Sequence, residues 1–106
     1  MIAKSMMDSL RMLARAEKAR AQKQYGQTYA SMHEGVGVLA EEVQEAGDSL
    51  ADMVTSLDTL IRVYRRGCDV GESLREVYRY ALLTAAECIQ VAAVAMKAAK
   101  GDSANV

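Results

Sequence analysis

The chain has 106 residues, 51% apolar and 25% charged, with a net charge of −1. These values describe a globular chain of single-domain size and exclude both intrinsic disorder and a globally basic nucleic-acid binder. Proline, Phe and Trp are absent, so the core must come from Leu, Val, Met, Ile, Ala and Tyr, and nothing breaks long helices. The expected fold is all-α: a helical bundle of one shorter and two long antiparallel helices, completed by oligomerisation. The chain divides into an N-terminal helix and connection (1–30), a helical hairpin (31–100) and a frayed tail (101–106).

The small net charge hides a segregated pattern. Residues 1–23 carry six bases against two acids. Between Gln24 and Ile61 stand seven acids and no Lys or Arg, and Arg62, Arg65, Arg66, Arg75 and Arg79 cluster around the next turn. Cys68 and Cys88 lack metal-motif spacing and read as free thiols of a reducing, cytoplasmic setting. The N-terminus is charged throughout, unlike a signal peptide. Glu87, Gln90 and Lys97 interrupt the Ala-rich stretch 81–99, which argues against a membrane span.

The first helix is expected from about Ile2 to Gln24, ending at Gly26, which can take the left-handed stop conformation. Ser31 and Glu34 have the spacing of a capping box and open the second helix. From there Val36, Leu39, Val43, Ala46, Leu50, Met53, Leu57, Leu60 and Tyr64 recur at alternating steps of three and four. The phase holds across Gly47, so one helix from about Met32 to Arg66 is predicted, with a bend at Gly47 allowed. Gly67 terminates it. Asp69 to Glu72 start a third helix from about Glu72 to Lys100, closed by Gly101. Residues 81–99 are apolar nearly all round, and a helix of that kind must be covered on every side. A homodimer or homotetramer is the expected answer. Cys88, Met96 and the helically spaced tyrosines read as core.

The chemistry lies in the acids. Glu41, Glu42 and Glu45 crowd little more than a turn of the second helix. Alone they are equally well a solvated acidic face, and Glu34 is simplest as a capping residue. Glu87 and Gln90 stand three residues apart in an otherwise apolar helix, which a solvated face does not explain, because an unpartnered buried carboxylate is costly. Folding the third helix back along the second can bring Glu42, Glu45, Glu87 and Gln90 level. Three carboxylates and an amide oxygen form a hard-oxygen set suited to Mg²⁺ or Mn²⁺ rather than zinc.

His33-Glu34-Gly35, Val38-Leu39-Ala40-Glu41-Glu42 and Glu45, followed by Glu87-x-x-Gln90-Val91-Ala92-Ala93, resemble the MazG-like all-α NTP pyrophosphohydrolases, small phage and prophage members above all. The likeness spans roughly Ser31 to Lys97. It implies Glu42, Glu45 and Glu87 as Mg²⁺ ligands, with Gln90 standing where the family has a fourth acid. Glu41 becomes an accessory acid, and Glu41 or Glu45 takes the proton of the attacking water. The implied substrate is a nucleoside triphosphate, cleaved to monophosphate and pyrophosphate. Phosphate-binding candidates are the five arginines near the turn or groups from the first helix of a neighbouring subunit; Tyr29, Tyr64, Tyr78 or Tyr80 are candidates for stacking on a base. The alternative is a non-catalytic phage-type assembly or interaction protein that retains the fold. Nucleic-acid association through the first helix and the arginines is the weakest expectation.

Overall fold

Ser31 opens the element on which the others are placed. In the computed structural model, which describes residues 2–99, its hydroxyl accepts the backbone N–H of Glu34 at 3.1 Å. The Glu34 carboxylate reaches back to the N–H of Ala30 at 3.3 Å, one residue before the position a capping box uses. Helix α2 then runs Met32–Arg65, unbroken through Gly47. It ends at Gly67, whose φ is +74°. The Gly67 and Cys68 N–H groups donate to the carbonyls of Tyr64 and Val63 at 3.0 and 3.2 Å. This pair of bonds satisfies carbonyls the helix end would otherwise leave open.

Helix α1 spans Lys4–Tyr25 and stops at Gly26, φ +104°. Helix α3 spans Gly71–Ala98, with Val70 as its first flanking residue and no side-chain cap. Asp69 instead accepts the Gly71 N–H at 3.3 Å, tightening the turn just before the helix. The described residues contain three helices and no strand: the protein is all-α. The stop expected at Gly101 and the tail after it lie outside the described residues.

α2 and α3 are antiparallel. Gly35 near the start of α2 lies against the end of α3: a Cβ there would stand 3.2 Å from that of Ala98 and 3.1 Å from the Tyr29 ring. Any larger residue would push the helices apart. Near the turn, Thr55, Ser56 and Thr59 face Ser73 and Glu76. The side of α2 turned to α3 carries two lines of side chains. Leu39, Ala46, Met53 and Leu60 form one; Glu42, Ser49, Ser56 and Val63 form the other. All are buried or half-buried.

Here the structure corrects the sequence reading. The single apolar stripe expected on α2 is two. Val36, Val43, Leu50, Leu57 and Tyr64 are 45% to 72% exposed. They recur every seven residues and lie about 60° around the helix from the Leu39 line, so one alternation of threes and fours runs through both.

α1 packs on α3 and not on α2, covering its C-terminal half, where Ala93, Met96 and Lys97 are buried. The N-terminal half is uncovered. Leu82 and Leu83 are exposed, and so are Tyr78 and Cys88, which the sequence pattern assigned to the core along with Tyr64. Cys68 and Cys88 are both free thiols. The molecule measures 55 × 30 × 22 Å, with a radius of gyration of 17.2 Å against about 13 Å for a compact chain of this length. By length and composition α3 could also cross a membrane: its mean hydropathy reaches 1.4 over eighteen residues, of which 22% are buried.

Candidate metal centre

Glu42 lies on the line of α2 that meets α3, and Glu45 follows it by three residues. Glu87 comes from the facing stretch of α3. Each can present one carboxylate oxygen so that all three lie within 4.8 Å of one another. Glu42 and Glu87 are half-buried and Glu45 is exposed. None of the hydrogen bonds or ion pairs among the described residues engages them. Burial holds the Glu42 carboxyl above the ordinary glutamate value of 4.5, and the charges of Glu45, Glu87 and Glu41 push it further the same way. The cluster is a concentration of negative charge with no fixed positive partner, which a proton or a cation relieves.

A divalent cation fits the donor set. Magnesium binds oxygens at about 2.0–2.1 Å in an octahedron, which places ligand oxygens roughly 3–4 Å apart. The three carboxylates reach that spacing by closing about 1 Å, a side-chain movement rather than a backbone one. Glu41 is exposed on the neighbouring face of α2, outside the group of three. The Gln90 amide nitrogen donates to Glu17 of α1 at 2.8 Å, so its oxygen is the atom it can offer to a cation. Glu17 is in turn held by Arg20, whose Nε lies 3.0 Å from both carboxylate oxygens. The Arg20 hydrogen bonds keep the Glu17 carboxyl below its usual range against the opposing effect of burial, with the Gln90 bond helping.

This clasp brings α1 to the centre. Beside Glu42 and Gln90 opens a cleft of about 370 Å³, also lined by Arg20, Tyr25, Tyr29, Val38 and Lys97, within the size range of small-molecule sites. Lys97 is buried, at 7% exposure, with its ammonium 4.3 Å from the centre of the Tyr29 ring, close enough for a cation–π contact. Burial pushes the Tyr29 hydroxyl up, and the charges of Glu42 and Glu34 add to the effect.

The arginines favoured from sequence lie elsewhere. Arg62, Arg65 and Arg66 are twenty or more residues along α2 from Glu42, about 30 Å at the helical rise. Arg75 and Arg79 are roughly 18 and 12 Å from Glu87 along α3 by the same measure, and Arg79 pairs with Glu76 at 2.8 Å. Of the tyrosines proposed for stacking, Tyr29 lines the cleft. Tyr64 and Tyr78 are exposed, and Tyr80 lies beneath the Arg79 guanidinium at 4.7 Å. Sequence reasoning missed Glu17, Tyr25 and Lys97, and it looked for first-helix bases on a neighbouring subunit, whereas Arg20 lines the cleft of its own chain. Only Lys97 left a signal, as the one base in the apolar run 81–99.

No family model, curated protein or solved structure matches this chain.

Proposed function

We propose that the protein is a Mg²⁺-dependent nucleoside triphosphate pyrophosphohydrolase of the MazG-like kind, with a helical-bundle architecture and Mn²⁺ as an alternative ion. One observation carries the reading: three unpartnered carboxylates from two helices converge within 4.8 Å at the edge of a cleft that also holds Arg20, Lys97 and two tyrosines. An acidic cluster beside buried positive charge suits a ligand that is anionic and reaches the protein with a metal ion.

Glu42, Glu45 and Glu87 hold the ion, with the Gln90 oxygen as a neutral fourth donor. When bound, Mg²⁺ neutralises phosphate oxygens and acidifies a coordinated water. Lys97 and Arg20 attract the phosphates, and Tyr29 and Tyr25 offer ring faces to a base. Glu41 or Glu45 takes the proton of the attacking water. The bond between the α- and β-phosphates breaks, leaving monophosphate and pyrophosphate.

A second reading, a non-catalytic helical assembly protein of phage type, draws on the exposed apolar line of α2. Pyrophosphate release from a panel of NTPs and dNTPs with Mg²⁺ or Mn²⁺ separates the two. Metal-dependent release is expected from wild type and is lost in Glu45→Ala and Glu87→Ala, with circular dichroism verifying that both variants fold. Folded wild type that releases no pyrophosphate from any nucleotide overturns the enzyme reading and favours the assembly protein.

A further inference from the structure

The exposed face of α2 is built to a rule. Val36, Val43, Leu50, Leu57 and Tyr64 stand seven residues apart, and Ala40, Gly47, Val54 and Ile61 follow the same interval four residues on. No charge interrupts either line. Sustained over four repeats, this 3.5-residue period is the pattern of a helix that pairs with another helix. The line lies about 110° around α2 from the side that meets α3, the corner angle of a four-helix arrangement. Leu74, Tyr78, Ala81 and Ala85 of α3 are exposed, and by the same projection they continue the apolar face on the same side of the hairpin, away from α1. There is little core within one chain: among the described residues the buried apolar ones are Ala14, Ala93 and Met96.

We infer that this face is covered by a second copy of the chain, α2 against α2, antiparallel about a two-fold axis near Asp52. Two observations select that occupant and orientation. The first is charge. The N-terminal half of α2 carries Glu41, Glu45 and Asp48 and its last turn Arg62 and Arg65. The acids project to the back of α2 rather than into the contact, and an antiparallel copy keeps the two acidic halves apart, whereas a parallel copy sets them level. The second is size. In this register Tyr64 meets Ala40 of the second copy and Leu57 meets Gly47, a large side chain against a small one at each end, while Leu50 meets Val54 and Val43 meets Ile61 as aliphatic pairs. A self-complementary patch of this kind is what a two-fold interface requires. At the exposures observed, the α2 and α3 side chains together offer an area on the order of the ~800 Å² each partner gives a standard interface.

Sedimentation velocity on the full chain tests the pairing, alongside Leu50→Lys with Leu57→Lys. Wild type is expected at twice the chain mass up to roughly 100 µM, where a standard interface associates. The double variant falls twofold, to the chain mass, with its circular dichroism unchanged because both residues are exposed in the single chain. A spin label at Arg66→Cys, with Cys68 and Cys88 replaced by Ser, reads the orientation: about 40 Å or more between labels if antiparallel, far less if parallel. Each of four results overturns the proposal. They are a folded wild-type monomer throughout that range, a dimer that survives the double variant, a short label distance, and a monomer that instead binds zwitterionic phosphatidylcholine vesicles through α3.

Discussion

The two sides of α2 share one period and differ in chemistry. The side packed on α3 sets Glu42, Ser49 and Ser56 beside Leu39, Ala46, Met53 and Leu60, while the exposed apolar face is Val, Leu, Ile and Tyr with Ala40 and Gly47. Hydrophobicity alone would bury the Leu39 line and the Val36 line alike. What distinguishes the inner side is size and role. Gly35, Ser49 and Ser56 occupy one line with Glu42, and their small side chains let α3 come close enough for Glu87 to approach Glu42 and Glu45. The inner side is shaped for approach, the outer one for burial of area. Within a single chain only the first need is met.

The sharpest break of this comparison uses adjacent residues. Ser49→Leu forces a large side chain into a position 6% exposed and is expected to cost roughly 1–3 kcal/mol. Leu50→Ser, one residue on, leaves the stability of the dilute monomer within about 0.5 kcal/mol. Urea unfolding of both at low protein concentration checks the contrast; equal losses would mean that the two sides are not distinct. The glycines repeat it on a smaller scale. Gly35→Leu must displace Tyr29 and Ala98, and its net cost is roughly 1–2 kcal/mol after the gain in helix propensity. Gly37→Ala meets nothing within 4 Å and gains up to ~1 kcal/mol, read by the same unfolding curves.

The smallest effect is electrostatic. Because the Glu42 carboxyl is raised in the folded chain, its favourable contribution is complete below the unfolded value of 4.5 and is lost as pH rises through the folded value. Glu42→Gln removes that loss. Its melting temperature should therefore gain on wild type as pH rises from roughly 4 to 8, and Mg²⁺ should narrow the gap by stabilising wild type more than the variant. Melts in which the two proteins stay parallel across that range, with and without Mg²⁺, would contradict it. Glu17, whose carboxyl is lowered, behaves alike in both proteins and cancels.

Much of the fold was legible because its ends are marked locally. Ser31 with Glu34 starts α2, Gly26 and Gly67 stop helices, and unbroken periodicity carries α2 through Gly47. Which apolar line meets α3 was not legible, since the Leu39 and Val36 lines interleave into one pattern and only a neighbour tells them apart. At the site, Glu42, Glu45 and Glu87 stood out as acids on helices that a tight turn folds together. The cleft beside them did not. Arg20 lines it while holding Glu17, whose carboxylate accepts from Gln90, seventy-three residues along the chain, and no local spacing records such a pairing.

The clasp of α1 has its own consequence. That helix buries only Ala14 outright and touches the hairpin along α3 alone, while supplying Arg20 and Tyr25 to the cleft wall. Its backbone hydrogen bonds are therefore the cheapest of the three helices to open, a local unfolding that leaves α2 and α3 folded. A ligand that engages Arg20 is therefore expected to slow amide exchange in α1 before it does so in α2 or α3.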